Sequence, residues 1–313
     1  MSENGLEGFG STALGMLVLK VLDPDRYYRN KETLQVRRRQ AALLAYNATL
    51  RMPVPPEGNH PCFKHSGNAG DIIYALPAIR ALCGGGGGRL RLVLDTPIHV
   101  RHLRSSHPLG GVMLNRAMFD LLAPLLEAQP YLESVQVLDS ERVDYDLDRF
   151  RTSPLPQDRL GISRWYFYHL AVSADLSEPW LEAPEVPAFR GSVIIARSQR
   201  YRNLCLDYQF LDRYPDLVFC GLEEEFADMR RTLPRLTYAP VKDFLQLAGM
   251  IRSCRLFIGN QSLPYALAEA QKVRRVLELD PSTPNVVPCG RDAHDVVFQS
   301  QFQQVVARML EHD

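Results

Sequence analysis

The sequence predicts an α/β protein made of two doubly wound regions, preceded by a helical extension. Three observations carry this. Strand-like and helix-like runs alternate with short connections, most legibly from Ser192 onward. Two such regions flank the stretch Leu176–Arg190, where Pro179, Pro184 and Pro187 stand among acids as a candidate interdomain linker. The chain of 313 residues is long enough for two domains. These patterns place an extension at 1–57, a first α/β domain at 58–180 and a second at 181–313.

The extension contains a basic helical pattern over Arg26–Arg51, with Leu34, Val36, Ala41, Leu43, Leu44 and Leu50 among arginines and a lysine. Such a helix can bind phosphate backbones or a membrane surface, but it is more often the solvated face of a packing helix. The formal net charge is zero, so no global field attracts nucleic acid, and the solvated reading is favoured. Pro53, Pro55 and Pro56 end the segment. Ala13–Leu22 is apolar but interrupted by Lys20 and lacks a basic leader, so it reads neither as a signal peptide nor as an integral membrane segment. The six cysteines show no C-x-x-C spacing, and buried reduced thiols in a cytoplasmic protein are expected, with no metal site.

The first domain opens with a short strand at Cys62–Phe63 and the sequence HSGNAGDIIYALPAIRAL over His65–Leu82. Gly67, Asn68 and Gly70 form a turn. Ile72, Ile73, Leu76, Ile79 and Leu82 then follow helical spacing. Glycines at a strand–helix turn let backbone N–H groups approach a ligand, and the helix N-terminus favours anions. Asp71 at that N-terminus is either a helix cap or a carboxylate aimed into a cleft. Gly84–Gly88 reads as a helix-to-strand loop and Arg89–Asp95 as an edge or half-buried strand. His102 and His107 sit five apart in a loop and do not read as metal ligands. A helix is expected at Asn115–Ala128, a strand at Ser134–Leu138, irregular chain at Val143–Arg151 and an aromatic helix at Gly161–Asp175.

The second domain reads as strands at Ser192–Ala196, Leu217–Cys220, Leu236–Ala239, Leu256–Ile258 and Arg275–Leu279. Helices at Glu223–Leu233, Lys242–Cys254 and Ser262–Gln271 alternate with them, and a last helix spans Gln299–His312. Ligands of such sheets bind beyond the carboxyl ends of the strands, so the Gly67/Gly70 and Gly259 turns are expected to face one cleft. Arg197, Arg200 and Arg202 follow the first strand of this domain directly, and arginine forks suit phosphate oxygens.

GNAGDIIYALPAIRAL near the front and RLFIGNQSLPYALAEAQKVRRVLEL near the end resemble the heptosyltransferase-like glycosyltransferases, family 9, of GT-B fold. The resemblance covers about Phe63 to Leu279 and rests on Gly70-Asp71, Pro77–Leu82 and Gly259–Ala268. It implies two Rossmann-like domains facing a cleft. It further implies inverting, metal-independent sugar transfer from a nucleotide-sugar to an acceptor hydroxyl, with no cofactor. Asp71 would be the general base, and Gly67, Asn68 and Gly70 the acceptor-side loop. Asn260, Gln261, Ser262, Leu263 and Tyr265 would join Arg197, Arg200 and Arg202 in holding the donor diphosphate. Tyr265 stands where the family usually has a histidine, and arginines stand where it commonly has a lysine. A non-catalytic binding or scaffold protein of the same shape, and a nucleic-acid-associated glycosyltransferase, are the alternatives. A Rossmann dehydrogenase and a P-loop NTPase are not supported, because neither glycine motif is present.

Overall fold

A computed structural model describes residues 13–50, 60–98 and 109–311. The chain divides into two units: the N-terminal helices with Thr152–Pro156, and the remainder from the first strand onward.

In the first unit, α1 (Ala13–Leu22) and α2 (Pro24–Thr49) follow one another with Asp23 alone between them. Asp23 makes the corner: its carboxylate accepts the Arg26 N–H at 3.0 Å, and Pro24 pre-sets the first helical turn. Ala13–Leu22, an interrupted apolar patch by sequence, is thus a helix in its own right. The expected tail at Arg51 and the prolines after it lie outside the described residues.

The second unit contains two all-parallel sheets. The first joins β1 (Cys62–His65), β2 (Gly88–Leu92), β3 (Leu132–Val137) and β4 (Tyr145–Asp146) in the order β3-β2-β1-β4. Its helices are α3 (Ala69–Cys83), α4 (Arg116–Glu127) and α5 (Ile162–Leu170). The second sheet joins β5 (Val193–Ala196), β6 (Leu217–Phe219), β7 (Thr237–Tyr238), β8 (Leu256–Asn260), β9 (Arg275–Glu278) and β10 (Ala293–Val296). Its order is β10-β9-β8-β5-β6-β7. Helices α6 (Glu223–Thr232), α7 (Phe244–Ser253), α8 (Leu263–Gln271) and α9 (Gln299–Glu311) complete it.

Four expectations change. Arg89–Asp95 was expected at an edge or half-buried, but β2 lies between β1 and β3, and its Arg91 is buried against Glu141. Val143–Arg151 is not irregular: it contains β4 and a 3₁₀ turn, Leu147–Thr152. The second sheet has a sixth strand, β10, and α5 stops at Leu170, where Ala171 adopts a left-handed conformation. His102 and His107 lie outside the described residues.

The proline-bearing stretch Leu176–Arg190 is packed rather than loose. Helix α3 buries Ile72, Ile73, Leu76 and Ile79 fully, each worth about 1.5–3 kcal/mol of transfer free energy. Pro77 inside α3 has no N–H to give the Ile73 carbonyl. The indole of Trp180 supplies the missing donor, at 3.1 Å from that oxygen. Trp180 also donates its backbone N–H to Ala270 on α8 at 2.9 Å. Further on, a Cβ at Gly249 would collide with the Pro184 carbonyl, so α7 presses directly on the stretch.

Candidate active site

Both sheets reverse their strand order beside their first strand: between β1 and β4 in one, and between β5 and β8 in the other. Diverging connections leave a crevice at such a point. The residues of interest lie in the loops that follow these four strands.

After β1 the chain runs through Ser66–Asn68 into α3. Asn68 is the N-cap residue but makes no capping bond with its side chain. Asp71 is therefore not the cap; it sits in the first turn. Its Oδ2 accepts from Asn68 Nδ2 at 3.2 Å and from Arg151 Nη2 at 3.3 Å. Its Oδ1 takes no hydrogen bond among the described residues. Arg151 comes from the turn after β4, also donates to the Gly67 carbonyl, and stacks 4.6 Å from the Phe150 ring centroid. Burial would lower the Arg151 pKa, but Asp71, Tyr166 and Asp148 outweigh it and hold the guanidinium more firmly charged.

Asp148, from the same turn, accepts the Ser66 hydroxyl at 2.8 Å and the Ser66 N–H at 3.1 Å. Burial raises its pKa, yet the Ser66 hydroxyl and N–H and the Arg151 guanidinium leave it below the usual range. Beneath the loop, Nδ1 of His65 accepts the Gly67 N–H at 2.9 Å. Its Nε2 then carries the proton and faces Tyr166 Oη at 2.8 Å, and Tyr166 donates to the Asp71 carbonyl at 3.1 Å. Complete burial pushes the His65 pKa down to about 4, so the ring is neutral. The 3.9 Å approach of Nδ1 to Asp148 is accordingly not an ion pair. The chain Gly67–His65–Tyr166–Asp71 fixes the backbone that carries the carboxylate.

On the other sheet, Asn260 at the end of β8 is fully buried. Its Oδ1 accepts the Ser198 N–H at 2.9 Å, and its Nδ2 donates to the Ser198 and Arg200 carbonyls at 3.0 and 2.6 Å. It ties the loop after β5 to the loop after β8. Gln261 holds the loop after β9 in the same way, through Thr283, Asn285 and the Asp280 N–H. Ser262 is the N-cap of α8, but its hydroxyl donates to the Asn260 carbonyl at 3.1 Å and makes no cap bond. With Pro264 in the first turn, the backbone N–H groups of Leu263 and Tyr265 remain directed out of the helix end.

The two helix ends meet. A Cβ on Gly70 would lie 3.8 Å from the Leu263 Cα and 3.9 Å from its nitrogen. Two positive dipole ends, neither capped by a side chain, converge on one place, an arrangement that favours an anion beside them. Tyr201, at a φ of +54°, follows Arg200 in the loop after β5, near enough for Asp71 to act on its phenol. Burial raises its phenol pKa, Arg200 opposes that, and Asp71 and Asp280 add to it, so the ring lies within the field of all three.

Several expected donor residues are instead structural. Arg197 makes a two-pronged ion pair with the buried Glu278, at 2.7 and 2.8 Å, and stacks on Tyr208. Arg202 is held by Asp228 at 2.5 Å and by the Ser198 carbonyl at 2.9 Å. Asn260 and Gln261 spend their side chains on the loops. Tyr265 is wholly buried beside Phe257, and its hydroxyl has no hydrogen-bond partner among the described residues. These side chains cannot contact a diphosphate without breaking their present contacts. Arg200, half-buried over the Tyr201 ring at 5.8 Å, pairs with no carboxylate among the described residues. Asp71, Asn68, Gly67, Gly70, Arg200, Ser262 and Leu263 therefore gather at the crevice. Asp148, Arg151, Tyr166 and Tyr201 join them without having been singled out from sequence.

No protein-family profile and no curated protein matches the sequence. Among solved structures, the chain is similar to the glycosyl transferase family 9 protein from Veillonella parvula DSM 2008. The TM-score is 0.51 at 13% identity, covering 83% of this chain and 91% of that one. It is also similar to the E. coli ADP-heptose LPS heptosyltransferase II, with TM-score 0.49, 13% identity and coverages of 80% and 98%. The E. coli heptosyltransferase WaaC with ADP gives 0.47, 12%, 80% and 99%. At these identities the likeness is one of architecture: the chain has the GT-B-like α/β fold found in a family 9 glycosyltransferase structure.

Proposed function

We propose that the protein is a glycosyltransferase that moves a sugar from a nucleotide-sugar to an acceptor hydroxyl, inverting the anomeric centre without a metal. The observation that carries this reading is Asp71. Its carboxylate is oriented by Asn68 and Arg151, with Oδ1 open, at the place where the uncapped ends of α3 and α8 converge.

The chemistry follows from that geometry. The acceptor hydroxyl gives its proton to Asp71 Oδ1 as its oxygen attacks the anomeric carbon. The bond from that carbon to the diphosphate breaks, and the electron pair passes to the leaving phosphate oxygen. The growing charge there is met by the Leu263 and Tyr265 backbone N–H groups, the α8 dipole and Arg200. Arg151 keeps the carboxylate in place, and the neutral His65–Tyr166 pair keeps its backbone in place.

The test is release of nucleoside diphosphate from a panel of nucleotide-sugars by wild type and Asp71→Asn. The variant is expected to lose about 10²–10⁴-fold in turnover while still binding donor. Unchanged turnover in Asp71→Asn would falsify the base assignment. The capture of Arg197, Arg202 and Tyr265 in structural contacts favours a second reading, a binding protein that keeps the shape without the reaction. Donor binding with no release by wild type would establish it.

A further inference from the structure

Helices α1 and α2 carry a surface that the proposed transfer does not use. On α1, Gly15 is buried and Met16 and Leu19 are partly covered, while Leu14, Leu17, Val18 and Val21 recur at i, i+3, i+4 and i+7 on the exposed side. Leu14 is 67% exposed, and Val21 and Leu22 are each 77% exposed. A water-facing helix normally turns such a stripe inward. Helix α2 runs for 26 residues without burying one, and it leaves Tyr28, Val36, Leu43 and Leu44 exposed. It carries six basic side chains against two acidic ones, in a protein whose net charge is zero.

The two features together select the occupant. A second copy of the two helices would cover the aliphatic stripe but bring like charges together. A nucleic acid would meet the arginines but leave the stripe in water. An anionic bilayer surface accepts both, because acyl chains take the aliphatic side chains and lipid phosphates take the guanidinium groups. Helix α1 has ten residues, and no helix among the described residues is long and apolar enough to cross a membrane. The geometry points to α1 lying in the plane of an anionic membrane surface, with Leu14, Leu17, Val18, Val21 and Leu22 at the acyl boundary and the basic residues of α2 on the lipid phosphates.

The experiment is co-sedimentation of the full-length chain with phosphatidylcholine vesicles, with and without phosphatidylglycerol, at low and high salt. The expected result is binding that requires phosphatidylglycerol and weakens with salt. The double variant Leu17→Glu/Val21→Glu and the triple variant Arg37→Glu/Arg38→Glu/Arg39→Glu should each bind at least about tenfold more weakly. Both alter exposed positions, so their melting temperatures should match wild type, which separates lost docking from lost folding. Equal sedimentation of wild type and both variants overturns the proposal. So does a dimer in analytical ultracentrifugation that Leu17→Glu/Val21→Glu abolishes, in a protein that ignores vesicles. Salt-sensitive retention of RNA or DNA without vesicle binding overturns it equally. None of these readouts depends on sugar transfer.

Discussion

Gly70 and Leu263 bring the N-terminal ends of α3 and α8 into contact distance, with a Cβ at Gly70 placed 3.8 Å from the Leu263 Cα. That separation is ordinary van der Waals contact, and the Gly70 backbone is not left-handed. Gly70→Ala should therefore fold, with stability unchanged or raised by up to about 1 kcal/mol. The added methyl crowds the approach to the Leu263 N–H at the two helix ends. Nucleoside diphosphate affinity, measured by calorimetry, is expected to fall by about tenfold or more, near 1.4 kcal/mol.

Arg200 is the arginine of its loop that the protein has not paired with a carboxylate among the described residues. Arg200→Ala should leave the melting temperature close to wild type and weaken diphosphate binding by about 1.5–3 kcal/mol, the range of a charge-assisted hydrogen bond. Arg197→Met should do the reverse. It strands the fully buried Glu278 carboxylate with only Asn203 and Tyr208 as donors. Breaking a buried pair in this way costs about 3–5 kcal/mol in denaturant unfolding.

Trp180 closes the gap that Pro77 opens at the Ile73 carbonyl. Trp180→Phe keeps a ring in the core but removes the donor. Leaving that carbonyl unsatisfied is expected to cost about 1–3 kcal/mol by urea unfolding, with no change in the midpoint of ligand binding.

His65 contributes a pH dependence whose sign is fixed by its burial. Its folded pKa of about 4 lies below the unfolded value of 6.5, so the unfolded chain binds the extra proton between those two values. Stability from this group is complete above about 6.5 and is lost as pH falls toward 4, by about 3 kcal/mol in total. His65→Gln removes the titration. The wild-type curve minus the variant curve should slope upward with pH through this window and run flat above it.

Much of the fold was legible because apolar strands and helices alternate with short turns, and because Gly70-Asp71 stands at a strand–helix junction. The strand β4 was not, because Tyr145 and Asp146 sit among Asp144, Asp148, Arg149 and Arg151, a charged run that reads as loop. Those charges are spent on neighbours: Lys64 with Asp146, Ser66 with Asp148, and Asp71 with Arg151. The Arg197 and Arg202 positions were legible, but their partners were not. Glu278 and Asp228 are brought to them only by the second sheet and by α6. Tyr265 could have been placed better, because α8 reads Leu-Pro-Tyr-Ala-Leu-Ala-Glu-Ala-Gln, apolar nearly all round, which marks a helix buried on every side.

The most direct test of the central claim is a melting-temperature panel of nucleoside mono- and diphosphates against wild type, Gly70→Ala and Arg200→Ala. At least one diphosphate should raise the wild-type melting temperature, by the roughly 2.7 kcal/mol expected at a hundredfold excess over its dissociation constant, and both variants should lose most of that shift. A wild type that no nucleotide stabilises, or a shift equally large in both variants, would contradict a diphosphate held at the N-terminal ends of α3 and α8.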